Sequence, residues 1–283
     1  MKKISLAFLK GLLIIIGLCL LQSGSPVHAK AVLPSKLNKA NLVTYYTYFR
    51  ANKNVTLKTA YTPSYKIGKS IIRNMTIKKG TIVEGQHNGG SKSRELLIDE
   101  RQLSYHTKRT GILPGYTLDP YPDSKYSNPL SANVESFTRV KRPTYMPAYS
   151  DGNLYQGDAA FLESKKRPNI NLRITPDGYL EYYKRNSKVE FSLQFLQKPN
   201  GDAKINKTLM KGNTRYFYTS KKVNGLKATK VNSKGSYQYR YQLTNLHQPQ
   251  FTPGDPDNDI PGSYDSLYRL SGKTYYTQIG TDD

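Results

Sequence analysis

Apolar and polar residues along this chain alternate in short runs and rarely recur at helical spacing. Runs of this kind predict β-strands with one face turned to a core. Residues 41–49 (NLVTYYTYF), 55–58, 75–77, 81–83, 96–98 and 103–105 are read as strands. Pro63, Gly68, Gly80 and Gly85 separate them, and Asn88-Gly89-Gly90-Ser91 reads as a hairpin loop. Farther on, 215–218, 226–229 and 237–243 read as strands, with turns at Asn224-Gly225 and Lys234-Gly235. Side chains repeat every two residues along a strand, so Tyr237, Tyr239 and Tyr241 fall on one face. Residues 266–270 and 274–277 flank Ser271-Gly272-Lys273 as a closing hairpin. The expected fold class is mostly β, in small tandem β-barrel units followed by a C-terminal β region.

One apolar block breaks this pattern. Met1-Lys2-Lys3 is basic, and the run from Gly11 to Leu21 carries no charge. Gln22, Ser23, Gly24, Ser25 and Pro26 follow, then Val27-His28-Ala29 before Lys30. Basic, apolar and small-residue regions in that order predict a secretory signal peptide over residues 1–31. The mature chain would start at Lys30 or Val32. A membrane-spanning helix needs roughly 20 apolar residues, about twice this run. Lipid attachment at Cys19 is disfavoured because Leu18 is too large for a lipobox.

Residues 110–133 hold Pro114, Gly115, Pro120, Pro122 and Pro129, and read as an extended linker. Residues 57–65 (LKTAYTPSY) resemble 140–149 (VKRPTYMPAY), sharing Tyr, any residue, Pro, a small residue, Tyr. Leu96-Leu97-Ile98, Leu103-Ser104-Tyr105 and Lys108-Arg109 recur in the same order as Leu172-Arg173-Ile174, Leu180-Glu181-Tyr182 and Lys184-Arg185. An internal duplication is therefore expected. It gives a first module at 40–109, a second at 134–198 and a C-terminal β region at 199–283.

Composition narrows the chemistry. Cys19 is the only cysteine, so the mature chain has no disulfide, no cysteine zinc site and no cysteine nucleophile. Its stability must come from packed cores. The formal charge is +23, and loss of Lys2, Lys3 and Lys10 with the leader leaves +20. Such a field draws polyanions. For an exported chain these are anionic cell-wall polymers such as teichoic acid or peptidoglycan, and nucleic acid is not expected. The 24 tyrosines suit both strands and half-exposed surfaces.

Catalytic motifs do not emerge. His87, His106 and His247 sit in no metal or triad pattern and read as surface residues. A glycosidase needs two carboxylates facing each other across a cleft. Neither Asp99-Glu100 nor Glu181 with Glu190 supplies that by spacing. Asp255-Pro256-Asp257-Asn258-Asp259 could turn alternate oxygens toward Ca²⁺, but the calcium loop wants Gly sixth and Glu twelfth. Ile260 and Ser266 stand there, so a solvated loop is expected. No catalytic residue, metal or cofactor is assigned.

Val55-Thr56-Leu57-Lys58, the turn Lys79-Gly80-Thr81 entering Ile82-Val83, and the closing Leu103-Ser104-Tyr105 resemble bacterial SH3-like surface modules of exported proteins of lactobacilli and their relatives. The second copy departs from the pattern, with Lys165-Lys166-Arg167-Pro168 in place of the Lys-Gly-Thr turn. The resemblance covers about half the mature chain. It implies small SH3-like β-barrels that bind the cell wall without catalysis. The expected polyanion contacts are Lys108, Arg109, Lys165, Lys166, Arg167, Lys184, Arg185, Lys221 and Lys222. Tyr61, Tyr65, Tyr145 and Tyr149 could add stacking. The expected function is non-catalytic, non-covalent association of a secreted protein with the cell envelope. The alternatives are an adhesin for host or matrix glycans and a wall hydrolase.

Overall fold

The computed structural model describes residues 47–63, 69–88, 94–111, 113, 115–119, 130–148, 150–157, 168–189, 191–253 and 262–281. The expected signal peptide over 1–31, the 255–259 segment, Tyr65, Tyr149, Lys165, Lys166 and Arg167 lie outside these residues. As expected, the described chain is mostly β.

The N-terminal part packs two antiparallel sheets. The first contains β1 (Thr47–Ala51), β4 (Ile82–Asn88), β5 (Glu95–Ile98), β7 (Leu130–Asn133) and β8 (Phe137–Val140), in the order β7-β5-β4-β1-β8. The second contains β2 (Val55–Pro63), β3 (Ile71–Ile77) and β6 (Tyr116–Leu118), in the order β3-β2-β6. Alternate residues of facing strands fill the space between them. Phe49, Met75, Ile77, Val83, Leu96 and Phe137 form this core, with Leu103 of the next segment. At ~25 cal/mol per Å² of apolar surface, each large side chain contributes about 2 kcal/mol.

The remaining strands close into one eight-stranded barrel. β9 (Asn153–Gln156), β10 (Ile170–Ile174), β11 (Tyr179–Lys184), β12 (Gly201–Lys211) and β13 (Thr214–Thr219) pair in sequence. β15 (Tyr239–Thr252), β16 (Ser263–Leu270) and β17 (Lys273–Thr281) continue the ring. It closes where β13 meets β15, Phe217 opposite Tyr241, and where β17 meets β9, Tyr276 opposite Tyr155. The two-residue β14 (Thr229–Lys230) flanks β15. A barrel of eight strands is just wide enough to be filled by side chains. Leu172, Leu180, Tyr182, Phe217, Tyr241 and Tyr268 fill it. One end is stopped by Val223 and Leu226, and the Tyr241 hydroxyl accepts from the Val223 amide at 2.6 Å. Gly225 turns there with φ +90°, and a Cβ would stand 2.3 Å from the Tyr182 ring, so only glycine fits.

The pairing differs from the expected organisation. β6 and β7 fall inside the expected 110–133 linker, yet they hydrogen-bond to β2 and β5. β8 opens the expected second module but pairs with β1. β9 to β11 share one barrel with every strand after residue 199. The matched repeat segments also take different structures. Leu57 to Tyr61 is strand, whereas Lys141 to Pro147 is not. Tyr105 starts a helix, whereas Leu180-Glu181-Tyr182 is strand. A two-residue period marks a strand without naming its partner, so local likeness does not set pairing. Among the described residues, no helix is long and apolar enough to cross a membrane.

Candidate functional site

The site begins with the segment that joins the two parts. Ser104 caps the short helix α1 (Tyr105–Lys108), its hydroxyl accepting from the Thr107 amide at 3.2 Å. Asp177, in the turn between β10 and β11, grips this cap. It accepts from the Ser104 amide at 3.0 Å, the Ser104 hydroxyl at 2.5 Å and the Thr107 hydroxyl at 2.7 Å. Beside it, Glu181 accepts from the Tyr105 amide at 2.6 Å and the Tyr183 hydroxyl at 2.7 Å. Arg173 donates to the Gln102 side chain at 2.6 Å and lies 5.1 Å from the Phe195 ring centroid. The outer face of β10 and β11 is thus buried and polar.

Lys108 is fully buried in this joint. Its ammonium donates to the Arg101 and Phe195 carbonyls, each at 3.3 Å. Burial, and then the Arg173 charge, push its pKa down to about 7, against the pull of Glu181. Burial raises Glu181, against the pull of Lys108. Charges held this way cost desolvation and tolerate no missing partner. This arrangement fastens the helix to the barrel, and Lys108 does not meet an external polyanion. Its backbone carbonyl also receives the Tyr61 hydroxyl at 3.0 Å, so the fully buried Tyr61 offers no face for stacking.

A cleft of about 350 Å³ opens beside the joint. Lys78, Lys79, Gly80 and Thr81 of the β3–β4 turn form one wall, and His106, Thr107 and Thr110 of the helical segment form the second. Asp177, Tyr179 and Lys204 of the barrel form the third. The turn is held by the Lys79 amide donating to Asn54 at 2.9 Å and the Gly80 amide donating to the Ala51 carbonyl at 2.8 Å. Gly80 has φ +84° with nothing within 4 Å of a Cβ, so conformation rather than space calls for glycine.

The lining is mainly basic. Among the described residues three lysines line the cleft and its single lining carboxylate, Asp177, is committed to Ser104 and Thr107, while Asp202 stands near enough to act on His106. The Lys204 ammonium donates to the Asp177 carbonyl and sits 4.7 Å from the Tyr179 ring centroid. Desolvation lowers its pKa, although much of the side chain remains exposed. His106 stacks on Tyr179 with centroids 5.1 Å apart and planes 19° from parallel. Partial burial, then Arg109, lower the His106 pKa, which favours the neutral ring at pH 7. The arrangement suits an anionic group set between lysines and threonines, with an aromatic floor.

The expected site residues scatter. Arg109, Lys184, Arg185, Lys221 and Lys222 are exposed, and only Arg109 stands close enough to the cleft to influence His106. Lys221 pairs with Asp202 at 3.0 Å. Tyr145 is half-buried, donates to the Pro176 carbonyl at 2.6 Å and packs against Gly178. Lys78, Lys79, Lys204, His106 and Tyr179 were not singled out as binding residues. The Lys79-Gly80-Thr81 turn was the one sequence signal pointing there. Glu100 and Glu181 are both buried. Among the described residues, no group of three His, Asp or Glu could hold a metal ion. Comparison with known proteins found no matching family model, curated protein or solved structure.

Proposed function

We propose that this chain is an exported, non-catalytic protein that holds anionic polymers of the bacterial cell envelope. The observation that carries this reading is the cleft. Lys78, Lys79 and Lys204 converge beside Thr76, Thr81 and Thr110, and the one carboxylate lining it among the described residues is already hydrogen-bonded. The leader-like first 31 residues and the charge of +23 support it from the sequence. Within this reading, the resemblance to SH3-like surface modules belongs to the N-terminal sheets, where Lys79-Gly80-Thr81 turns the chain into β4.

Exposed charge contacts are worth about 0–1 kcal/mol each, so attachment must sum many of them and weaken with salt. Retention on purified cell walls, with and without teichoic acid, is expected to fall steadily across a salt series. Retention unchanged to about 1 M salt, where the Debye length is near 3 Å, would sink the electrostatic account. A second expectation isolates the cleft. Lys78→Gln combined with Lys79→Gln removes two exposed charges and is expected to weaken wall binding roughly 3–10-fold, or about 1 kcal/mol. Unchanged retention of that pair would move the contact elsewhere.

A further inference from the structure

Strands β12 to β15 carry a second surface that the cleft does not explain. Between Asp202 and Asp255 the chain contains no acidic residue, while it contains Lys207, Lys211, Lys221, Lys222, Lys227, Lys230, Lys234 and Arg240, besides Lys204 of the cleft and Arg215, which donates to the Thr144 carbonyl. Phe217 and Tyr241 point into the barrel, so Tyr216, Tyr218, Arg240 and Gln242 point outward. The register sets these outward residues in rows. Lys207 stands opposite Tyr218, Tyr218 opposite Arg240, and Arg240 opposite Thr229. Leu209, Tyr216 and Gln242 make the next row, and Lys211, Thr214, Thr244 and Arg269 the one after.

Two of these cations, Lys207 and Arg240, are held by rings. The Lys207 ammonium lies 5.9 Å from the Tyr218 ring centroid and 5.7 Å from that of Tyr237. The Arg240 guanidinium lies 5.4 Å from the Tyr216 centroid. A ring orients a cation without neutralising it, so the charges stay available to an outside anion. Tyr237 is 42% exposed and Leu209 48%, leaving apolar surface beside them. A groove of about 330 Å³ continues the face, lined by Lys227, Thr229, Arg240, Gln242, Thr244 and Arg269. Among the described residues no carboxylate lines it.

We propose that this face binds a linear acidic polysaccharide, a chain of sugar rings bearing anionic groups. The inference rests on the reading of the protein as an envelope polyanion binder, and gives that reading a second site with a defined ligand class. Lysine and arginine meet the anionic groups, tyrosines and Leu209 receive the sugar faces, and the threonines and Gln242 suit vicinal hydroxyls. Nucleic acid, with phosphates and stacking bases, is the competing ligand and is an outcome of the test below.

The test is fluorescence anisotropy on the mature protein at about 0.05 M salt, where screening is weak, with labelled oligogalacturonate. Competitors are polyphosphate for charge without rings, maltohexaose for rings without charge, and oligo(dT). Oligogalacturonate is expected to bind at least fivefold more tightly than any competitor. Arg240→Gln with Arg269→Gln is expected to lower affinity at least tenfold, and Tyr237→Ala severalfold. A charge-matched control, Lys53→Gln with Lys188→Gln, is expected to stay within twofold. Circular dichroism of each variant checks the barrel, and Arg269→Gln alone, at an exposed hairpin end, serves if the double variant misfolds. Wild-type affinity in these face variants, with loss in Lys78→Gln/Lys79→Gln, would overturn this inference and leave the cleft reading intact. Equal or tighter binding of polyphosphate or oligo(dT) would also overturn it. Failure of the wild type to bind any anionic polymer would remove both readings.

Discussion

Glu84→Gln is expected to stabilise the protein by on the order of 3 kcal/mol at pH 7.5 and to change little at pH 4.5. Glu84 is fully buried on β4, and neither carboxylate oxygen has a hydrogen-bond partner among the described residues. Burial, then Asp151 and Asp99, push its pKa up to about 9, against Arg173 and Arg142. An unfolded glutamate titrates near 4.3. Between these values the folded state keeps a proton that the unfolded state releases, so stability falls as pH rises. The loss is about 1.4 kcal/mol per unit, and glutamine removes it while keeping the shape. Glu100, raised to about 8 chiefly by burial, adds a slope of the same sign. Lys108, lowered to about 7, works in the opposite sense above that pH, because its unfolded form then binds the extra proton. Wild-type stability is therefore expected to decline most steeply between about pH 4.5 and 7. Urea unfolding at the two pH values provides the measurement. An equal effect of Glu84→Gln at both, or destabilisation at pH 7.5, would contradict the assignment of a buried neutral acid.

The second large effect concerns the joint. Asp177→Ala is expected to cost about 3–5 kcal/mol, since three hydrogen bonds to one carboxylate vanish and buried donors of Ser104 and Thr107 lose their partner. The loss is also expected to split unfolding into two steps, because most of the core between the N-terminal sheets is distinct from the barrel core, although Tyr48, Ile82 and Val140 pack on the barrel cluster and Tyr61 and Leu118 pack with Leu196. Far-ultraviolet dichroism and tyrosine fluorescence would then give different midpoints. A single coincident transition shifted by less than about 1 kcal/mol would mean that other contacts carry the joint. The same variant bears on function. The cleft exists only while the β3–β4 turn, the helical segment and the barrel stay docked, so Asp177→Ala is expected to weaken wall binding although the Asp177 carboxylate is taken up by Ser104 and Thr107.

Strands, turns and charge were legible in the amino-acid sequence because each depends on neighbouring residues. Met75-Thr76-Ile77 alternates and forms β3, Asn224-Gly225 turns, Ser271-Gly272 closes a hairpin, and Lys79-Gly80-Thr81 leads into β4. Partners were not legible. β8 pairs with β1 across nearly ninety residues, and β17 with β9 across more than a hundred. Nothing in a two-residue period names a distant partner. Burial of polar residues was hidden for a related reason. Glu181 alternates with Leu180 and Tyr182, which makes it an outward residue of a barrel strand, and outward ordinarily means solvent. It is buried because Tyr105 and the 191–196 segment cover that face. Lys108 and Arg109 read as one basic pair, yet the fold buries the first and exposes the second. The basic, tyrosine-rich character of the surface belonged to the sequence. Which lysines share a cleft was decided only by docking, which brings together Lys79 of the N-terminal sheets and Lys204 of the barrel.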